Sequence, residues 1–459
     1  MSENHTRVID NMSGADALLW TIGRDPVLRP TVIAVMELDR SPRWPSVQDR
    51  FAALTEIVPR LRSHVVVRPL GPGRPRFVED NRFELRFHLR RIVMPPEATF
   101  RDVLDMAQIM ATTGFDSELP PWEAVVVEGV DGGRAALIVK VHHALVDGVG
   151  GLAVLMHLLD RHRRAASPRA HAPATPPDKK TPLDVLKRLP SPRRLFEGAL
   201  GAATHPAGAI DQLVSTGTSV ARLLAPARQP LSSLMNERSF RRTFEVLDLD
   251  LDALREAARS SRGTLNDAFV ASVVRGLGRY HASHGIALDG LRVLMPLSVR
   301  HEGDADAGNH FVPARFVVSV PAEAADCLRE VTQITCSWKH APGLALNAVM
   351  ATGLSMLPEI VTTAMWGSML KGDDFCATNV PGPPFETYLA GSRIERIYAF
   401  APPSGAALNV SLVSSAGRAC VGINVDAAAI PDSSNLTGCL EDGFGDILRL
   451  GRTPHCDEP

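Results

Sequence analysis

The chain has 459 residues, 45% of them apolar, and a formal net charge of −2. That length suits two domains with sizeable cores, and so balanced a charge gives no whole-chain attraction to nucleic acid. All six cysteines lie at or beyond Cys327 and none forms a Cys-x-x-Cys pair, which argues against a zinc ribbon and fits a reducing, cytoplasmic setting. Met1 to Gly14 is polar, so no secretion signal is expected, and no apolar run is long enough for a spanning helix.

In chain order, Ser13 to Trp20 reads as a capped helix and Thr31 to Leu38 as a strand. A helix follows from Ser46 to Ile57, then strands near His64–Val67 and Arg76–Val78. Thr99 to Ala111 is helical, with Val103, Met106, Ala107 and Met110 on one side. Residues 123–130 and 134–141 are two strands joined by the tight turn Asp131-Gly132-Gly133, a hairpin. Val149 to Asp160 is apolar at helical spacing. Mixed helices and hairpins argue for layered α/β or α+β architecture, not a bundle.

From Arg161 to Arg194 the chain is rich in Arg, Lys and Pro, with only Asp178 and Asp184 as acids. This is a linker by composition. Thr181-Pro182 opens a short helical stretch, and Ile210, Leu213, Val214, Val220 and Leu224 form an apolar helical stripe. Such a segment suits a solvated crossover between domains or contact with an anionic membrane. The stripe's polar side is not strongly cationic, which favours the crossover.

Strands are predicted at Thr243–Leu249, Leu291–Val299, Val312–Val320, Phe375–Val380, Arg393–Phe400, Ala407–Ser414 and Ala419–Val425. Helices are predicted at Leu251–Arg259, from Thr264 through Tyr280, and at Ala322–Trp338, Leu344–Met369 and Asn435–Leu448. The expected division is residues 1–160, a crossover over 161–237, and a second domain over 238–459. Both halves share an order of strand, helix, strands, helix, hairpin and helix.

Val141 to Gly151 carries the chemistry: Val-His-His-Ala-Leu-Val-Asp-Gly-Val-Gly-Gly. If the strand runs through the histidines, alternation puts His143 with Val141, Val139 and Leu137, and His142 with Lys140, Ile138 and Ala136. Only one of the two can point into a given cavity. Asp147 lies across a turn that Gly148 allows to be tight. This His-His-x-x-x-Asp-Gly pattern resembles the active-site motif of the acyltransferase superfamily that includes chloramphenicol acetyltransferase, carnitine acyltransferases and the condensation domains of peptide synthetases.

The resemblance narrows over four further stretches. Leu119-Pro120-Pro121-Trp122-Glu123 is similar to a Pro-Leu-Trp-Glu segment, with Pro121 in place of Leu. Leu265-Asn266-Asp267 matches an Asn-Asp pair at a helix start. Met295 to Arg300 resembles a Pro-Val-Ser-Val-Arg strand end. Thr378 to Pro383, followed by Tyr388 to Gly391, resembles an Asn-Val-Pro-Gly-Pro block. In this order the chain looks like bacterial wax ester synthase/diacylglycerol acyltransferase. Residues 22–29 depart from that family by lacking its glutamate-and-histidine pattern, which bears on substrate range.

The resemblance implies two chloramphenicol-acetyltransferase-like sandwich domains with the active site in a tunnel between them. It implies transfer of a fatty acyl group from acyl-coenzyme A, a co-substrate, to diacylglycerol or a long-chain alcohol. His143 would be the general base. No Gly-x-Ser-x-Gly elbow suggests a covalent acyl-enzyme. Face alternation favours a structural role for His142. Asp147 would organise the loop through an arginine, for which Arg300 is one choice among several. Gly148, Gly150 and Gly151 suit close packing of loop and helix.

Asn266 either donates to the tetrahedral oxyanion or serves only the helix start with Asp267, capped by Thr264. Trp122, Asp267, Arg300, Asn379, Pro381 and Gly382 form the implied substrate-binding set, where Trp122 and residues 379–383 either shape the tunnel or hold loops. No cofactor is implied, and adjacent histidines make a poor metal site. The expected location is cytoplasmic, with the inner face of the membrane or a lipid-droplet surface as peripheral options. A carrier-protein-dependent condensation-type enzyme and a non-catalytic lipid-binding relative are the alternatives.

Overall fold

A computed structural model describes residues 8–67, 74–145, 151, 154–164, 229–298, 311–339 and 370–451. The apolar stripe of the crossover, the predicted helix 344–369, Asp147, Gly148, Gly150 and Arg300 lie outside the described residues.

The first half supplies β1 (Val8–Asn11), α1 (Gly14–Ile22), β2 (Thr31–Leu38), α2 (Trp44–Ile57), β3 (Ser63–Val66) and β4 (Arg76–Glu79). It continues with β5 (Leu89–Val93), α3 (Phe100–Thr112), β6 (Trp122–Val130) and β7 (Arg134–His142). The second half supplies β8 (Arg242–Asp250), α4 (Leu251–Ser260), α5 (Leu265–Ser283), β9 (Gly290–Ser298), β10 (Phe311–Ser319) and α6 (Ala324–Lys339). It ends with β11 (Phe375–Pro381), β12 (Tyr388–Leu389), β13 (Ser392–Phe400), β14 (Leu408–Ser415), β15 (Arg418–Asp426) and α7 (Ser433–Leu450).

Local chemistry explains many boundaries. The Ser13 hydroxyl accepts the Asp16 N–H at 3.1 Å and caps α1. Thr99 with Asp102, and Thr264 with Asp267, make reciprocal capping boxes on α3 and α5. The β6–β7 turn uses left-handed backbone at Asp131, Gly132 and Gly133 (φ 45°, 79° and 117°). The predicted helix 149–160 is shorter: residues 154–156 are helical and the chain turns away at 157, before Asp160 bridges to Tyr388.

Among the described residues there are two six-stranded sheets and one three-stranded sheet. The first large sheet runs β12-β13-β2-β7-β6-β5, the second β10-β9-β11-β14-β15-β8, and the small one β1-β4-β3. Sheet membership departs from the expected division of the chain. β12 and β13 lie beyond residue 238 yet join the first sheet, where β13 pairs antiparallel with β2 from Ile394↔Leu38 to Phe400↔Ile33. Strand β5 is not among the strands expected from the sequence. Its Leu-Arg-Arg-Ile-Val sequence has no alternation, because it is an edge strand held by parallel pairing to β6.

One face of the first sheet, with Met36, Ala124, Val126 and Leu137, packs on α1, α2 and the small sheet. The other face, with Ile33, Val125 and Ile138, packs on α3 and on Phe244 and Cys420 of the second sheet. The second sheet packs on α4, α5, α6 and α7. At the seam, Phe244 and Phe400 stack with centroids 4.0 Å apart. Arg396 of β13 bonds Glu37 at 2.8 Å and Asp248 of β8 at 2.7 Å, tying the sheets together. A Cβ at Gly422 would overlap the Ala399 carbonyl oxygen, so only glycine lets β15 approach β13 this closely.

Candidate active site

The histidines stand where β7 ends. Val141 is opposite Trp122 on β6, and His142 is opposite Thr31 on β2, so both flanks of the strand stay paired up to the motif. The next turn is pinned as well: His143 N–H donates to Pro30 O at 2.9 Å, and Leu145 N–H to His142 O at 2.9 Å.

The two imidazoles have different surroundings. His142 is 5% exposed. Its Nδ1 accepts the Ala144 N–H at 3.1 Å, so in the neutral ring the proton sits on Nε2. The Trp20 ring lies 4.7 Å away and the Phe115 ring 6.0 Å. Burial, and then the neighbouring His143, push the His142 pKa down to about 3. His142 is therefore a neutral member of the fold. His143 is only partly buried, and its ring acts electrostatically on Asp16 of α1.

Lys140 shares the His142 face, as alternation expects, and is fully buried. Its ammonium bonds Glu123 and the Thr113 hydroxyl at 3.0 Å and lies 4.4 Å from the centre of the Phe115 ring. Desolvation lowers its pKa despite the pull of Glu123. A lysine inside an apolar strand is the sequence signal for this clamp on the loop after α3.

Two residues of the implied substrate-binding set are committed elsewhere. Trp122 is buried between Phe51 and His88, and its Nε1–H donates to Leu61 O at 2.7 Å. It anchors β6 in the core. Asp267 is buried too: one oxygen accepts Thr264 N–H and Oγ1, the other accepts Thr335 Oγ1 at 2.7 Å. It ties the start of α5 to α6.

Asn266 sits one residue before Asp267, and its Nδ2 contacts the Met295 sulfur of β9 at 2.8 Å. A thioether is a weak acceptor, so this amide keeps donor capacity. Gly382 N–H donates to Ser414 O at 2.7 Å and Pro383 O accepts Ser415 Oγ at 3.1 Å, so the segment after Pro381 holds the β14–β15 hairpin. Asn379 differs. Its Oδ1 is buried and, among the described residues, has no hydrogen-bond partner.

Asn379 also lies where two neighbouring strands of the second sheet cease to pair. β9 and β11 pair only at Val293↔Phe375 and Leu294↔Cys376. Beyond those positions β9 follows β10 to Ser298 and β11 follows β14 to Pro381. Met295 and Asn379 lie on the two diverging strands. Among the described residues no group of three or more His, Cys, Asp or Glu side chains could hold a metal ion. None of the described helices is long and apolar enough to cross a membrane.

The arrangement of two packed sheets is shared with solved structures. The wax ester synthase/diacylglycerol acyltransferase from Marinobacter aquaeolei VT8 matches with a TM-score of 0.65 over 97% of this chain and 100% of that one, at 19% identity. The first condensation domain of the calcium-dependent antibiotic synthetase gives 0.63 over 98% of each chain, at 15% identity. The fold is thus the two-lobed, chloramphenicol-acetyltransferase-like one.

Sequence comparison goes further. Residues 12–269 match the wax ester synthase/diacylglycerol acyltransferase catalytic domain, and residues 307–448 match the C-terminal domain of the same family. The chain belongs to the wax ester synthase/diacylglycerol acyltransferase family and is an acyltransferase. A Mycobacterium tuberculosis H37Rv protein provisionally named a diacylglycerol O-acyltransferase is 32% identical over 98% of this chain and 94% of its own. Another from that strain, named a probable diacylglycerol O-acyltransferase, is 27% identical over 87% of this chain and 89% of its own.

Proposed function

We propose that the protein moves a fatty acyl group from coenzyme A to diacylglycerol or a long-chain alcohol, with His143 as the general base. The observation that carries this is the difference in surroundings between the adjacent imidazoles. His142 is held neutral by burial and a backbone N–H, whereas His143 is partly open and electrostatically coupled to a carboxylate.

A neutral imidazole, which ordinarily titrates at about pH 6.5, can take the hydroxyl proton as the new C–O bond forms. The C–S bond then breaks, and the imidazolium returns the proton to the departing thiolate. The products are an ester and free coenzyme A, with no covalent acyl-enzyme. Asn266 has an amide donor to offer the tetrahedral oxyanion. The unmatched Asn379 oxygen, where β9 and β11 cease to pair, is suited to accept a hydrogen bond from substrate. Asp147, outside the described residues, is assigned the loop-organising role that the resemblance implies.

The test is thiol release from palmitoyl-coenzyme A by the purified chain, with and without diolein or hexadecanol. Release should depend on the acceptor and fall by roughly 10²–10⁴-fold in His143→Ala. Release undiminished in that variant overturns the base assignment. Release only from an acylated carrier protein would overturn the coenzyme A donor.

A further inference from the structure

We propose that Asp16 is a positioning residue for His143: its buried carboxylate presents a fixed negative charge that stabilises the imidazolium formed when the acceptor's proton is taken. This rests on the general-base reading above.

The placement of α1 is the first argument. Ala17 packs in the same cluster as Ala144 and Leu145, the residues that follow the histidines. Leu18 and Ile22 pack on Leu370 and Leu294 of the other half. The helix therefore lies along the seam and touches the motif. Asp16 and Trp20 are one turn apart on the same stripe of α1, and the Trp20 ring is 4.7 Å from the His142 ring. Further along, a Cβ at Gly23 would lie 3.3 Å from His142 Nε2. The stripe that carries Asp16 thus runs beside His142, the neighbour of His143.

The second argument is electrostatic. Asp16 is 8% exposed, and a buried carboxylate requires compensation. Burial raises its pKa above the usual range, against the pull of Arg60, Ser13 and the His143 ring. Arg60 supplies part of the compensation, but it stands 3.9 Å from Asp16 and makes its shorter contact, 2.7 Å, with Asp10. A positive imidazole at position 143 supplies more, and only while the transferred proton is held. That is charge arranged in advance for the transition state.

The charged and titratable groups tied to Asp16 include Arg60 of the turn at 59–62, through it Asp10 of β1, and His143, while His142 of β7 beside the helix stays neutral.

The experiment compares the wild-type chain with Asp16→Asn, which keeps the shape and removes the charge, and with Asp16→Glu, which restores it. Two readouts are followed: the acid limb of the kcat/KM profile, and the His143 ring titration by NMR in the ligand-free protein. In Asp16→Asn both should move to lower pH by roughly one unit. kcat should fall by up to about tenfold, with KM for the acyl donor unchanged. Asp16→Glu should recover part of each shift. A folded Asp16→Asn chain with wild-type ring titration and acid limb overturns the proposal. If the wild type itself shows no turnover, the general-base reading fails instead, and the ring titration still decides whether Asp16 and His143 are coupled.

Discussion

The two large sheets reach the seam in opposite ways. In the first, β7 is paired on both sides until its last residues, and the turn after it is tied to Pro30 and His142 by backbone bonds. In the second, β9 and β11 share two residue pairs and then part, leaving a buried carbonyl oxygen on Asn379 unmatched. The general base proposed at His143 would have to hold its place closely, and a fully paired strand end suits that. A path for a long substrate needs room, and a sheet makes room by giving up ladder bonds. On the proposed function, one lobe would supply precision and the other passage.

Breaking the seam between them should have the largest effect. Gly422→Ala places a methyl against the Ala399 carbonyl oxygen, where β15 crosses β13. A loss of about 3 kcal/mol is expected in denaturant unfolding. A variant as stable as the wild type would show that the sheets are free to separate there.

The paired side should reveal itself through pH. His142 in the unfolded chain titrates near the ordinary histidine value, about 6.5, whereas burial holds it at about 3 in the fold. Its folded pKa is depressed, so stability is full above about pH 6.5 and falls as pH drops towards 3. The slope is about 1.4 kcal/mol per pH unit, or about 2 kcal/mol by about pH 5. His142→Gln should lack this component, and an unchanged slope would remove His142 from the account.

The open side should give the smallest change in stability. Asn379→Leu deletes an unmatched buried oxygen, so stability should hold within about 0.5 kcal/mol or rise slightly. KM for one substrate should increase several-fold as a hydrogen bond of about 1 kcal/mol is lost. A large stability loss with unchanged kinetics would make Asn379 a purely structural residue.

Much of this is legible along the chain. The β6–β7 hairpin announces itself by two apolar runs around Asp131-Gly132-Gly133, and the capping boxes by Thr99 with Asp102 and Thr264 with Asp267. The strand–turn context of the two histidines follows from the same local pattern. Other features are readable only in part. Asp16 reads as a helix-start residue, and nothing nearby says that its helix lies along a seam. Trp122 reads equally well as shaping a tunnel or holding loops, and only the structure shows it stacked on Phe51 and His88.

What the sequence determined on its own was most of the elements, their caps and turns, and the histidine motif at a strand end, because periodicity and turn chemistry act over a few neighbouring residues. Tertiary structure alone decided that β13 crosses to the first sheet, that β5 is a strand, that β9 and β11 part, and that Asp16 shares a corner with His143. Each of these depends on which distant segment covers a given face or edge, and side-chain order along one strand carries no information about that partner.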